Sequence, residues 1–337
     1  MGRELRQSKL ENKNSKVQVM LEAVIKNKKY ETPDILSFEL APNGSFLLPR
    51  FEAGSHIDVH INGGLVRQYS LYNDPDDVNI YKIAVLKDPH SRGGSAGMHA
   101  SFNIDDTIKI SAPRNLFPLD QTSQRVVLFA GGIGITPLMS MASVLAKQGI
   151  DFELHYHCRS KKSAAFYDEL RSSPYNTRVH FHFDDAPDDT ARSVNLALSQ
   201  SGDSVNLYTC GPNGYMDYIF TTARALGWKD NNLHKEVFGA DSIELDDSDH
   251  SFELTLVRSG ISLHIPKDKT VLEVLEDACI EIDVSCEQGI CGACVTKVIE
   301  GIPDHRDQFL SDEEKEKNNQ FTPCCSRALG KSLSIDL

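Results

Sequence analysis

"CEQGICGACV", residues 286–295, holds Cys286, Cys291 and Cys294 within nine positions, with Gly289 and Gly292 between them. Three thiols this close can serve zinc, a redox disulfide or an iron–sulfur centre, and the spacing separates these uses. Cys286-x4-Cys291-x2-Cys294 is followed, after 29 intervening residues, by Cys324. C-x4-C-x2-C…C is a [2Fe–2S] arrangement, whereas zinc takes shorter paired knuckles. A binuclear cluster needs four thiolates around an anionic core whose sulfides accept hydrogen bonds. A glycine-rich loop brings backbone N–H groups close to those sulfurs, and Gly289, Gly292 and the small Ala293 suit that task. Cys325 follows Cys324 directly and competes as fourth ligand. Adjacent side chains rarely reach one metal together, so one of the two is spare.

The composition is that of a soluble globular protein, with 337 residues, 40% of them hydrophobic and 25% charged, which points to two or three domains. No apolar run approaches the roughly 18 residues that span a bilayer. The opening "MGRELRQSKLENKNSK" is polar and lacks the apolar core of a secretory signal, so residues 1–16 read as a flexible tail. The expected location is cytoplasmic, where disulfides are rare and cysteines serve metal or redox chemistry. The net charge of −13 is uneven: from Asp246 onward there are 19 acidic and 9 basic residues, a net of −10. That balance disfavours nucleic acid as a partner. It suits steering onto a basic protein surface, the plainer alternative being that it keeps this part soluble.

Upstream of the cysteines the texture changes twice. Residues 17–120 read as short alternating strands such as "HIDVHI", "RQYSLY", "YKIAVLK" and "TIKISAP", broken by Gly, Pro and Asn turns, which suggests a small antiparallel β-barrel. Residues 121–240 alternate apolar strands with helices. "RVVLFA" has the continuous apolar run of a buried parallel strand, and it enters "GGIGITPLMSMASVLAKQG". There Thr136 is expected to cap a helix, with Pro137 at its first position and Gly149 at its stop. Repeated strand–helix units predict a doubly wound α/β domain. "GADSIELDDSDHS" (239–251) lacks apolar periodicity, and 241–251 read as a linker. In 252–337, "FELTLVRSGISLHI" predicts a hairpin turning at Ser259-Gly260. "TVLEVLEDACIE" predicts a helix capped by Thr270, with Cys279 as a buried apolar residue on it.

"GGIGITP" (131–137) follows a strand and opens a helix, the setting in which N–H groups hold a pyrophosphate, with Gly132 and Gly134 allowing close approach. A tight turn with no ligand is the alternative. Together "RQYSL" (67–71), "GGSAGMH" (93–99), "GGIGITP" and "CGPNGYM" (210–216) resemble, in this order, the ferredoxin–NADP reductase superfamily. The resemblance implies that Arg67 pairs with a flavin phosphate, with Gln68 in the same motif. Tyr69 would pack on the ring and Ser70 approach N5, while Gly93, Gly94 and Ser95 contact the phosphate. Gly132, Gly134, Thr136, Pro137, Cys210 and Gly211 would border the nicotinamide nucleotide. "EVFG" (236–239) is similar to the segment that sets an aromatic, here Phe238, against the flavin ring. The last 90 residues resemble a plant-type ferredoxin domain of β-grasp fold, and "CCSRA" resembles the C-x-S-R-A ending of reductase-borne ferredoxins. Both select Cys324 as the fourth ligand after Cys286, Cys291 and Cys294.

The order flavin barrel, NAD domain, C-terminal ferredoxin is similar to the phthalate dioxygenase reductase family, vanillate demethylase reductases included. The resemblance implies FMN rather than FAD and NADH rather than NADPH, although Arg159, Lys161 and Lys162 stand where a 2′-phosphate would be read. It implies hydride transfer from nicotinamide to flavin, then single electrons through the [2Fe–2S] cluster to a terminal oxygenase subunit of the Rieske non-haem iron type. A diiron monooxygenase, a general ferredoxin or ferric reductase, and an iron–sulfur redox sensor are the alternatives. The paired histidines of "HYHC" (155–158) and "VHFHF" (179–183) share one strand face and are expected to pack in the core or line a crevice.

Overall fold

A computed structural model describes residues 20–44, 46–61, 64–89, 93–186, 190–238 and 249–337. The sequence-predicted tail (1–16) and most of the predicted linker (241–248) lie outside the described residues.

The first unit is an antiparallel sheet. It is built from β1 (Met20–Tyr30), β2 (Ile35–Pro42), β3 (Ser55–His60), β4 (Val66–Ser70) and β5 (Tyr81–Leu86). Helix α1 (Gly94–Ser101) precedes β6 (Thr107–Ser111) and β7 (Arg114–Asn115). The strand order is β4-β3-β6-β1-β2-β5, with β7 also on β3. Period-two alternation turns Ala23, Ile25, Phe38, Leu40, Ile57, Val59, Ile108 and Ile110 into one core. The glycine-rich stretch 93–99 is helical: Gly94 to His99 lie in α1, which starts beside β4.

The second unit is a parallel sheet of order β10-β9-β8-β11-β12. Its parts are β8 (Arg125–Gly131), α2 (Ile135–Gln148), β9 (Asp151–Cys158), α3 (Tyr167–Ser172), β10 (Val179–Phe183), α4 (Thr190–Leu198), β11 (Val205–Cys210), α5 (Asn213–Ala225) and β12 (Leu233–Glu236). The unbroken apolar run of β8 has a direct cause. Val126, Leu128 and Ala130 face the core under α2, while Val127 and Phe129 face a second core with Val194, Ile219 and Phe220. Both faces are covered, so alternation vanishes. Ile35, Ala53, Tyr72 and Phe117 of the first unit join the core under α2, and Tyr72 meets Phe166 at 4.6 Å between ring centroids.

One expectation fails at the start of α2. Thr136 does not cap: the chain leaves β8 through a 3₁₀ turn at Gly132–Gly134, α2 already includes Ile135, and the Thr136 hydroxyl donates to the Ile133 carbonyl at 3.1 Å. Gly149 does stop the helix, with φ 69°. In "SAAFYDELRSS" (163–173) the helix is confined to α3, because Phe166 takes φ 59° just ahead of it.

The third unit comprises β13 (Phe252–Leu256), β14 (Ile261–Ile265), α6 (Val271–Asp277), β15 (Thr296–Glu300), β16 (Pro303–Asp304), α7 (Asp312–Glu316), β17 (Gln320–Phe321), β18 (Arg327–Ala328) and β19 (Ser332–Ile335). Its main sheet runs β14-β13-β19-β15-β17, with β13 parallel to β19 and packed under α6. Thr270 caps α6 in a reciprocal box with Glu273. Cys279 departs from expectation, because α6 ends at Asp277. Cys279 lies past the cap Ala278, exposed and at φ 56°. Among the described residues no helix is long and apolar enough to cross a membrane.

Candidate functional site

The cysteine loop connects α6 to β15. Its glycines are required by their surroundings. Gly289 and Gly292 both sit at φ +69°, and a Cβ would stand 2.5 Å from Cys325 Sγ at the first and 2.2 Å from the Phe309 ring at the second. The loop turns amides onto sulfur: Gln288 N–H reaches Cys286 Sγ at 3.3 Å and Ala293 N–H reaches Cys291 Sγ at 3.4 Å. Cys294 Sγ and Cys324 Sγ lie 3.3 Å apart. Cys325 Sγ turns instead to Thr322 Oγ1, at 3.0 Å. Each of the four sequence-selected thiols is buried. A hydrogen bond from Cys291 and three backbone amides hold the Cys286 thiol below its ordinary value, against the opposing effect of burial. Four buried sulfurs, two of them accepting backbone N–H groups, fit a thiolate-held, anionic cluster.

A second group forms where the two larger sheets meet. Cys210 ends β11, paired with Ala130 of β8 on one side and Glu236 of β12 on the other. A Cβ on Gly134 would lie 2.1 Å from the Cys210 carbonyl oxygen, so only glycine lets the turn after β8 press against Cys210 and Gly211. Thr136 and Pro137 are buried behind that turn. Across the gap the Ser70 hydroxyl donates to Glu236 Oε2 at 3.0 Å. Although part of Glu236 remains open, burial pushes its carboxyl up to about 8, with the Ser70 hydrogen bond pulling the other way. Ser70, Gly134, Cys210 and Glu236 thus converge at the carboxyl ends of β8 and β11, where strand order reverses and open α/β sheets bind ligands.

The remaining sequence-selected residues divide. Arg67 lies along the start of α1, with Gly94 so close that a Cβ would meet its Nε at 2.7 Å. The Arg67 guanidinium and the α1 amides together suit a phosphate. Gly93 is the helix cap at φ 98°, and Ser95 Oγ accepts from Asp88 N–H at 3.1 Å. Tyr69 packs against the barrel core, where burial raises its phenol. Gln68 points elsewhere: its amide donates to Asp58 Oδ1 at 3.0 Å and to Ser285 Oγ at 3.1 Å. Phe238 is exposed two residues past β12, and no aromatic contact among the described residues includes it.

Residues 254–329 match the family of 2Fe-2S iron-sulfur cluster binding domains. The chain is 48% identical to the vanillate O-demethylase oxidoreductase of Pseudomonas sp. strain HR199, over 94% of this chain and all of that one. A solved structure of phthalate dioxygenase reductase, described as modular for electron transfer from pyridine nucleotides to [2Fe–2S], superposes with TM-score 0.76. It is 38% identical and shares 94% of this chain and 98% of its own. The chain belongs to the phthalate dioxygenase reductase family. A self-sufficient cytochrome P450 monooxygenase also contains this architecture, with TM-score 0.79, 36% identity, 95% coverage of this chain and 41% of its own.

As a member of the phthalate dioxygenase reductase family the protein is an oxidoreductase of flavin, NAD and ferredoxin modules. Glu236 is the site residue that motif reading passed over. It stands inside the quoted "EVFG", but only the pairing of β12 on β11 reveals its meeting with Ser70. Ser285 was missed likewise, because its partners are 171 and 217 residues away. The histidines of this reductase form a stacked row. His155, His157 and His182 are buried, with His157 over His182 at 4.3 Å and His155 over His180 at 4.8 Å. Burial and its histidine neighbours hold His157 down at about 3, while its Nδ1 meets the Tyr215 hydroxyl at 2.8 Å. Ligand atoms of Glu153, His155 and His180 lie within 4.8 Å of one another, but Arg125 occupies the carboxylate at 2.8 Å.

Proposed function

We propose that the protein is the NADH-dependent reductase component of a two-component Rieske non-haem iron oxygenase, holding FMN in residues 17–120, NADH on residues 121–240 and a [2Fe–2S] cluster in residues 252–337. The observation that carries this reading is the convergence of Ser70, Cys210 and Glu236 in one crevice, with the buried thiol group next to the strand that bears Ser70. Arg67, Gly93, Gly94 and Ser95 hold the flavin phosphate, Tyr69 and Phe238 flank the ring, and Ser70 faces its reactive edge. Gly132, Gly134, Thr136, Pro137, Cys210 and Gly211 seat the dinucleotide. Cys286, Cys291, Cys294 and Cys324 bind iron, and Cys325 does not.

A bound flavin accepts a hydride from nicotinamide and gives up electrons singly, which links a two-electron donor to a one-electron cluster. The protein's part is positional. The Gly134–Cys210 contact removes bulk so that two rings can lie face to face, and alignment of this kind supplies much of the rate of such transfers. The Ser70–Glu236 pair holds a proton at the crevice, since Glu236 stays protonated near neutral pH.

The test is anaerobic reduction of the holoprotein by NADH, followed by electron delivery to purified acceptors. Bleaching of a released-and-identified FMN, a reduced-cluster electron paramagnetic signal, and turnover with a Rieske oxygenase are expected. Release of FAD, or turnover with a diiron hydroxylase but not with a Rieske protein, would overturn the corresponding part. A haem monooxygenase as acceptor is a second reading, favoured by the P450 chain that carries the same three units. Reduction of a P450 faster than of a Rieske oxygenase would establish it.

A further inference from the structure

We propose that Ser285 is the positioning residue that fixes the cysteine loop against the flavin-side sheet, held by Gln68 and Arg114 over the buried carboxylate of Asp58. This inference rests on the flavin-to-cluster path proposed above and names the residues that set its geometry. Ser285 immediately precedes Cys286 and is 2% exposed. Its hydroxyl oxygen lies 3.1 Å from Gln68 Nε2 and 3.3 Å from Arg114 Nη2. The same two nitrogens reach Asp58 Oδ1, at 3.0 and 2.6 Å, and Asp58 is 1% exposed. Two donors from one unit are therefore shared between a carboxylate of their own unit and a hydroxyl of the other.

The anchoring side is rigid. Asp58 lies on β3, its own amide donates to Ser111 Oγ at 2.9 Å, and β3 is paired with β4, β6 and β7. Arg114 is borne on β7 and Gln68 on β4, the two strands flanking this part of β3. The loop side is held again two residues on, where Glu287 Oε2 stands 4.0 Å from Arg67 Nη1. Residues 285 and 287 bracket Cys286, so the first thiol of the cluster loop is tied on one side by the Ser285 hydroxyl and flanked on the other by the looser Glu287–Arg67 ion pair. β4 ends the sheet order, and its Arg67 and Gln68 side chains are what the loop meets. The Asp58 carboxylate fixes the donors whether or not Ser285 is present, so the hydroxyl contributes placement of the loop more than folding of the barrel.

Each electron that crosses this contact oxidises the flavin by one and reduces the cluster by one, with no bond formed or broken, so rate depends on separation and orientation. That rate falls as the separation grows, and a loop released from Gln68 and Arg114 no longer has its separation fixed. The experiment is anaerobic stopped-flow of holoprotein Ser285→Ala with NADH, read at flavin and cluster wavelengths, alongside amide hydrogen exchange. Expected are an unchanged flavin-bleaching phase, a cluster-reduction phase slowed several-fold, and faster exchange confined to residues 284–288. Arg114→Lys is the second variant, because an ammonium on a flexible stem does not keep the fixed place that Nη2 of the planar guanidinium holds between Asp58 and Ser285. It is expected to slow the same phase and no other. Wild-type cluster reduction and exchange in Ser285→Ala would overturn the inference, as would slowing by Arg114→Lys alone. If the unsubstituted protein showed no flavin bleaching, the reading of the path itself would fail instead.

Discussion

Glu236 has the most unusual acid chemistry among the residues of the crevice. Its folded-state value of about 8 lies above the ordinary carboxyl value, so the native state binds the proton more tightly than the unfolded chain. Stability from this group is complete below the ordinary carboxyl range and falls as pH rises towards 8. Glu236→Gln should therefore match the wild type near pH 5 and exceed it at pH 8. The gap should be of the order of 1–3 kcal/mol, or several degrees in melting temperature. Parallel melting curves across that range would refute the assignment. Ser70→Ala removes the hydrogen bond that pulls the value down and should move the alkaline limb of hydride transfer upward, which a pH–rate profile for NADH-to-flavin reduction would detect. At the cluster, Cys324→Ser should abolish the reduced [2Fe–2S] paramagnetic signal and Cys325→Ser should preserve it, because the two sulfurs point to Cys294 and Thr322 respectively. Loss of signal in the Cys325 variant would reverse the ligand choice.

The turn between β8 and α2 makes the sharpest demand on sequence at the level of elements. Gly134→Ala drives a methyl into the Cys210 carbonyl at 2.1 Å, where both partners are backbone and neither can yield cheaply. A loss of about 2–4 kcal/mol in stability is expected, with a KM for NADH raised at least ~10-fold. An unchanged KM in calorimetrically native protein would show that the turn does not touch the nucleotide. Thr270→Ala tests α6, whose box with Glu273 should contribute ~1 kcal/mol to the third unit's melting. The strand and helix pattern was open to reading wherever a single periodicity governed it. "RVVLFA" announced a doubly covered strand and "FELTLVRSGISLHI" a hairpin, and Thr270 announced its own cap. Thr136 did not cap, because a 3₁₀ turn absorbed the residues before it. Cys279 lies outside the helix because α6 ends at Asp277 and the chain is in left-handed backbone by Cys279. The cysteine spacing offered its candidate ligands locally, whereas Glu236 and Ser285 acquire their partners only through pairing of distant strands.

The whole molecule is electrically lopsided, with a net of −10 over residues 246–337 and −3 over the remainder. Exposed charge interactions weaken beyond a Debye length of about 10 Å at 0.1 M salt. Raising ionic strength should thus slow reduction of the external acceptor several-fold while leaving NADH-to-flavin reduction nearly constant, measured in the same buffer series. Equal sensitivity of both steps would remove the steering role. The Ser285 contact bridges residues 217 positions apart, joining Gln68 of the first sheet to the third unit. Anyone building chimaeras from relatives of this chain meets a compatibility rule there. The cysteine module and the barrel have to be exchanged as a matched pair, serine with its aspartate, arginine and glutamine. A graft that respects only the boundary between units would supply a fully assembled cluster to a host with no seat for it.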